Sequence, residues 1–145
     1  MKRRPQCEYK LPPKEKCIFN AIRACARVSP WLRTPEERAK ITPDSHPLSG
    51  HCFVATHAAY HLIGNRHNLV PHVCKLAGGG THWWLWNRDT NKCLDATFEQ
   101  TCQPFPYDQG KPCFWYIRRH KRPWRDKRTS ELIHLVKERL KHQPA

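Results

Sequence analysis

Apolar residues recur at helical spacing in the first third of the chain. Over residues 15–28, the side chains of Ile18, Ile22 and Cys25 lie about one turn apart, so one face of the segment is apolar. Pro30 follows two residues later and disfavours a continued helix before it. The pattern predicts a helix over 15–28.

Two further helices are expected, over residues 34–41 and 52–63. Thr34 offers a capping hydroxyl and Pro35 suits the first helical position, which together indicate the start of the shorter helix. In the longer helix, a stripe of small and apolar side chains permits close packing against a sheet. This stripe consists of Cys52, Ala55, Thr56, Ala59 and Ile63.

Three segments with strand-like patterns follow. These predicted strands, the last two of which form a hairpin, cover residues 69–76, 81–86 and 92–98. Because side chains alternate between the two faces of a strand, Leu85 and Leu94 should face the core, while His82 and Asp95 share the opposite face. This geometry requires a turn of two or four residues, since an odd loop or a bulge would separate His82 from Asp95.

The last third of the chain is first proline-rich and then basic. Residues 101–113 are expected to be irregular, and residues 114–117 to form a short strand. A final helix is predicted with Ser130 as its capping residue. Its apolar stripe consists of Leu132, Leu135, Val136 and Leu140.

Length and composition limit the class of protein. A chain of 145 residues is expected to form one domain. Its 26 Lys and Arg residues against 12 Asp and Glu residues give a formal net charge of +14, which favours an anionic partner such as nucleic acid or an acidic protein surface. The competing interpretation is a soluble basic protein with a solvated charged surface.

The eight cysteines do not indicate a disulfide framework. Residues 1–9 lack the apolar run of a secretory leader, and no segment is long and apolar enough to cross a membrane. The chain is therefore expected to be cytoplasmic, with reduced thiols and no membrane partner. Most of the cysteines are interpreted as small buried side chains.

Metal ligation is not the favoured role for the cysteines and histidines. No two cysteines have C-x2-C spacing. His57 and His61 are four residues apart on one helix face, but the pair lacks the glutamate of the zinc-protease pattern. Both fall on the opposite side of the helix from Cys52 and are predicted to lie on the surface. No metal or other cofactor is expected.

The strongest chemical signal is a cysteine followed along the chain by a histidine and an aspartate. Cys52 begins a predicted helix, where partial positive charge and free N–H groups stabilise a thiolate. His82 and Asp95 lie on the hairpin that follows. We interpret Cys52 as a nucleophile, His82 as its base and acid, and Asp95 as the group that orients the imidazole.

The motifs around these residues resemble those of the papain/transglutaminase-like superfamily, which keeps the order Cys, His, Asp. The resemblance is nearest to short YunG-like proteins of bacteria and phages, and it covers about residues 45–105. The motifs are Gly50-His51-Cys52, His82-Trp83-Trp84 and Asp95-Ala96-Thr97-Phe98-Glu99-Gln100.

The resemblance implies an α+β fold in which a central helix packs against an antiparallel sheet. This domain would span residues 15–117, between a basic extended N-terminus at 1–14 and a basic segment with a C-terminal helix at 118–145. The resemblance implies a cysteine hydrolase or transferase that uses a catalytic triad. The expected reaction is acyl transfer from a peptide, amide or ester to water or an amine. Because Trp84 and Trp86 share the His82 face, a substrate cleft is expected at Trp84, Trp86 and Gln100, while core packing is the simpler interpretation of the tryptophans.

A catalytically silent domain that binds nucleic acid or an acidic protein through its charge is the alternative function. A dense cationic segment just before the final helix carries this hypothesis, with an indole available for stacking on bases. The candidate residues are Arg118, Arg119, Lys121, Arg122, Trp124 and Arg125.

If this basic segment binds nucleic acid, the affinity should fall steeply with salt, because bound phosphates release counterions. Neutralising Arg118, Arg119 and Lys121 together should weaken binding and flatten the salt dependence, with little base preference. Electrophoretic mobility at low salt measures this. No shift of DNA or RNA at micromolar protein would contradict the hypothesis.

Overall fold

The structure is a computed structural model, and it describes residues 4–114 and 127–142. The described part of the chain folds as an α+β domain with a four-stranded antiparallel sheet. The helices are α1 (Pro13–Arg27), α2 (Pro35–Ala39), α3 (Cys52–Leu62) and α4 (Lys127–Lys141). The strands are β1 (Val70–Lys75), β2 (Thr81–Asn87), β3 (Lys92–Leu94) and β4 (Lys111–Pro112), in the sheet order β3-β2-β1-β4.

The helix starts follow from local sequence in two of the four cases. α1 has Pro13 in its first turn, and the Thr34 hydroxyl accepts a hydrogen bond from Glu37 N–H at 3.1 Å to cap α2, as expected. The predicted cap of the last helix is wrong. Ser130 lies inside α4, which already includes Lys127.

The hairpin has the register that places His82 and Asp95 on one face. Leu85 pairs with Leu94 and Asn87 pairs with Lys92, so a four-residue turn joins β2 to β3. The prediction that His82 and Asp95 share a face is confirmed. β3 is shorter than the predicted strand because the chain turns directly after Leu94, where an Asp95 side-chain oxygen accepts a hydrogen bond from Thr97 N–H at 3.0 Å.

The main core lies between the helices and one face of the sheet. α3 contacts β1 and β2 on one side and α1 and α4 on the other, so the helix is buried almost all round. The predicted surface position of His57 is wrong. Its side chain is buried, with the Phe53 ring at 4.2 Å and the Trp83 ring at 5.1 Å between centroids.

A second, aromatic cluster covers the opposite face of the sheet. Trp84 and Trp86 of β2 pack there with Tyr107 and with Cys93 of β3. The segment predicted as irregular supplies this cover, and it contains a short helical turn, Tyr107–Gln109, and the strand β4. From His82 to Asn87, both faces of β2 are therefore buried beneath other parts of the chain.

The two ends of the described chain take part in the fold. The N-terminal segment forms an isolated parallel bridge from Glu8 to Cys93 and so covers the free edge of β3. Leu132, Ile133 and Val136 of α4 belong to the main core. The predicted strand at 114–117 lies almost wholly outside the described residues, as does most of the basic segment at 118–128.

In the part of the chain that the structure describes, every helix is too short or too polar to cross a bilayer.

Replacing Gly110 by Ala should destabilise the fold, because the new Cβ would overlap the Trp84 ring. The expected loss is about 1–3 kcal/mol of unfolding free energy, measured by urea denaturation. Gly78→Ala is the matched control, since its Cβ would meet no atom within 4 Å. Equal stability of the two variants would contradict the close packing at Trp84.

Candidate active site

Cys52 is the first residue of the central helix α3, and its position is fixed by a tight loop. Gly50 precedes it with a φ of +83°, a left-handed conformation that suits glycine. A side chain at Gly50 would also press on Glu37 and Arg33, at 3.1 and 3.2 Å from its Cβ. The close approach of the loop to α2 therefore sets where α3 begins.

Buried polar groups anchor the same loop. The Arg33 guanidinium donates hydrogen bonds to the carbonyl oxygens of Pro47 and Ser49, the former at 3.0 Å. His51 Nε2 lies 3.0 Å from the Ser29 carbonyl, and burial lowers the pKa of the His51 imidazole. His51 is therefore neutral at neutral pH and acts as a donor to that carbonyl rather than as a second charge beside Cys52.

His82 and Asp95 form a buried pair. His82 Nε2 lies 2.7 Å from Asp95 Oδ2, and each residue is only 1% exposed. Since Nε2 is engaged by the carboxylate, Nδ1 is the ring nitrogen left to face another group. The hairpin thus presents an oriented imidazole at the end of β2 that lies beside Cys52.

The Cys52 side chain lies beside the His82 imidazole, whose pKa it helps to raise. Its Sγ also lies 3.7 Å from the carbonyl oxygen of Thr81, the residue before His82. The structure therefore brings together the cysteine, histidine and aspartate singled out in the sequence. The three side chains come from α3, β2 and the turn after β3.

The charge of His82 is set by two opposing effects. Burial disfavours the imidazolium, whereas the charge and hydrogen bond of Asp95, with a further contribution from Cys52, favour it more strongly. The result raises the pKa of His82 to about 10. At neutral pH the site therefore holds an imidazolium next to the Cys52 side chain.

Asp95 is held by more than His82. Its Oδ2 also accepts a hydrogen bond from the Tyr107 hydroxyl at 2.7 Å, while Oδ1 accepts one from Thr97 N–H. Gln103 Nε2 in turn donates to the Tyr107 oxygen at 3.0 Å. Burial raises the pKa of the Tyr107 hydroxyl, and the negative charge of Asp95 raises it further. The phenol therefore stays protonated and acts as a donor.

The turn that carries Asp95 is fastened to α1. Arg23 Nε donates to the Ala96 carbonyl at 3.0 Å, and the same guanidinium forms an ion pair with both carboxylate oxygens of Glu99. The Cζ atom of Arg23 also lies 4.8 Å from the centre of the Phe98 ring, over its face. These contacts hold the backbone on the C-terminal side of Asp95.

The first turn of α3 supplies donors suited to an oxyanion. Among the described residues, no side chain caps this helix, because the His51 side chain makes no capping hydrogen bond. The Cys52 N–H, at the start of the helix, is therefore positioned to donate to a negatively charged oxygen near the thiol.

The three residues predicted to line a substrate cleft are placed differently from one another. Trp84 is fully buried and stacks on His82, with 5.8 Å between ring centroids, so it supports the imidazole from behind. Trp86 is nearly buried beside His72. Gln100 donates to the Leu48 carbonyl and links the Asp95 turn to the loop before Cys52. Substrate contact by these residues stays a prediction.

Sequence reasoning missed Tyr107, Gln103 and Phe105. All three lie in the segment predicted only as irregular, and Phe105 packs edge-on to His82 at 5.2 Å between ring centroids. The one sequence signal for a buried role is that two aromatic residues, Phe105 and Tyr107, alternate with prolines in this segment. Nothing in the sequence indicates that Tyr107 reaches Asp95.

The candidate nucleic-acid residues from Arg118 to Arg125 lie outside the described residues. Within residues 4–114 and 127–142, no group of three or more His, Cys, Asp or Glu side chains is placed to hold a metal ion. Comparisons of the chain with family models, with curated proteins and with solved structures give no match.

Tyr107→Phe should remove a donor from the buried Asp95 carboxylate and lower stability by about 1.5–3 kcal/mol, the range for hydrogen bonds to charged groups. Tyr9→Phe is the matched control, because its hydroxyl contacts only the His67 ring, at 3.2 Å, among the partners the structure describes. We expect a cost of about 0.5–1.5 kcal/mol there. Urea denaturation of both variants measures the difference, and equal costs would contradict the role of Tyr107.

Proposed function

We propose that this protein is a cysteine-dependent hydrolase or acyl transferase of the papain/transglutaminase-like kind, acting on an amide or ester. One observation carries the proposal. Hydrogen bonds join Tyr107 and His82 to the Asp95 carboxylate, and the Cys52 thiol lies beside His82, with its Sγ 3.7 Å from the Thr81 carbonyl oxygen. A histidine that is only structural would not need a buried carboxylate, a helix start and a thiol to converge on it.

The site supports attack by a thiolate on a carbonyl carbon. The Cys52 sulfur forms a bond to that carbon, and the carbonyl oxygen becomes an oxyanion that the Cys52 N–H at the start of α3 stabilises. When the tetrahedral intermediate collapses, the bond to the leaving group breaks. His82 gives its proton to the leaving amine or alcohol, and a thioester remains on Cys52.

The second half of the reaction reverses these roles. His82, now neutral, accepts a proton from water or from an acceptor amine as its oxygen or nitrogen attacks the thioester. The C–S bond breaks, the acyl group leaves as an acid or a new amide, and Cys52 returns to its thiolate form. Asp95 keeps the imidazole oriented and stabilises its charged form in both halves.

The raised pKa of His82 favours the ion-pair form of this mechanism. Because the imidazole already carries its proton at neutral pH, its first chemical task is that of an acid. The neighbouring charge, rather than proton transfer during attack, then makes Cys52 nucleophilic.

An activated Cys52 should react with iodoacetamide faster near neutral pH than the exposed thiols of Cys17 and Cys102, which serve as references within the same chain. His82→Gln should slow the labelling of Cys52 by roughly tenfold or more, because the thiolate loses its counter-charge. Peptide mass spectrometry gives the rate at each cysteine.

The matched control is His61→Gln, which changes a histidine near the other end of α3. It should leave the Cys52 rate unchanged, and circular dichroism should show both variants folded. Equal rates at Cys52, Cys17 and Cys102, with no effect of His82→Gln, would contradict the proposed function.

A further inference from the structure

Two thiols meet where the N-terminal segment crosses the edge of the sheet. The Sγ atoms of Cys7 and Cys93 are 3.3 Å apart. Cys93 N–H donates to the Cys7 carbonyl at 2.8 Å, and Tyr9 N–H donates to the Cys93 carbonyl at 2.7 Å. Backbone hydrogen bonds through both the N–H and the carbonyl of Cys93 therefore hold the two cysteines side by side.

The two cysteines differ in their access to solvent. Cys93 is fully buried, whereas Cys7 is half-buried and lines a cavity of about 330 Å³ together with Arg4, Phe105 and Tyr107. A small neutral molecule can therefore reach the Cys7 sulfur first. Burial raises the pKa of the Cys93 thiol, and the adjacent Cys7 raises it further, so Cys93 keeps its proton until it reacts.

We propose that Cys7 and Cys93 are a redox pair that hydrogen peroxide converts to a disulfide. The Cys7 sulfur attacks one peroxide oxygen, the O–O bond breaks, and the products are a sulfenic acid on Cys7 and one water. The Cys93 sulfur then attacks the Cys7 sulfur. The S–O bond breaks, and the Cys93 proton leaves with the hydroxyl group as a second water. Two electrons pass from the thiols to the peroxide.

The disulfide would fasten the N-terminal segment to β3 two residues before Asp95. Because it closes most of the chain into a loop, it restricts the unfolded chain more than the folded one. The oxidised protein should therefore unfold at a Tm that is higher by roughly 5 °C or more. The reaction does not involve Cys52, so it is independent of the proposed function.

The test treats reduced protein, freed of reductant, with hydrogen peroxide and compares peptide maps with and without dithiothreitol. We expect a peptide pair joined through Cys7 and Cys93 that dithiothreitol separates, and a matching rise in Tm. Cys7→Ser should lose both the joined peptides and the rise. Cys17→Ser, which removes an exposed thiol of α1, is the matched control and should keep both.

Cys52→Ser should also keep the joined peptides, which separates this proposal from the catalytic one. Oxidation that leaves Cys7 and Cys93 as free thiols would overturn the redox pair, and so would a disulfide from either of them to another cysteine. The peptide map of the unsubstituted protein decides the matter even if a variant fails to fold.

Discussion

The negative charge of Asp95 is the constraint on which the rest of the site depends. A buried carboxylate is costly unless charged or polar partners surround it. Asp95 is 1% exposed, and its two oxygens receive hydrogen bonds from His82, Tyr107 and Thr97. These partners come from β2, from the segment that covers the sheet and from the turn itself. One side chain therefore joins three separate parts of the chain.

The geometry of the site also depends on contact between two layers of the fold. Cys52 belongs to α3 in the helical layer, whereas His82 belongs to the sheet. Gln100 bridges the two by donating to the Leu48 carbonyl in the loop before α3, and Arg33 holds the same loop by donating to the Pro47 and Ser49 carbonyls. Polar contacts outside the pair thus help to hold Cys52 beside His82. Apolar packing alone would fix the position of α3 relative to the sheet less exactly, because it tolerates small shifts that directional hydrogen bonds do not.

Much of the site could be predicted because strand parity and helix caps are local properties. The alternation of side chains put His82 and Asp95 on one face, and the four-residue turn made that inference correct. The length of β3 could not be predicted from alternation, because the strand ends where the Asp95 carboxylate accepts a hydrogen bond from Thr97 N–H. Residues joined by long loops were also missed. Tyr107 meets Asp95 because the segment that carries it lies over the sheet, and His57 is buried because α3 has neighbours on both sides.

The ionisation of His82 tests the central claim most directly. Histidine-labelled protein has ten imidazole signals, and the His82→Gln variant identifies the one from His82 by its loss. The imidazole chemical shifts, followed by nuclear magnetic resonance against pH, should show His82 protonated through neutral pH with a midpoint near pH 10. Asp95→Asn should move that midpoint markedly lower. A midpoint near the ordinary value of 6.5 in the unsubstituted protein would contradict the account.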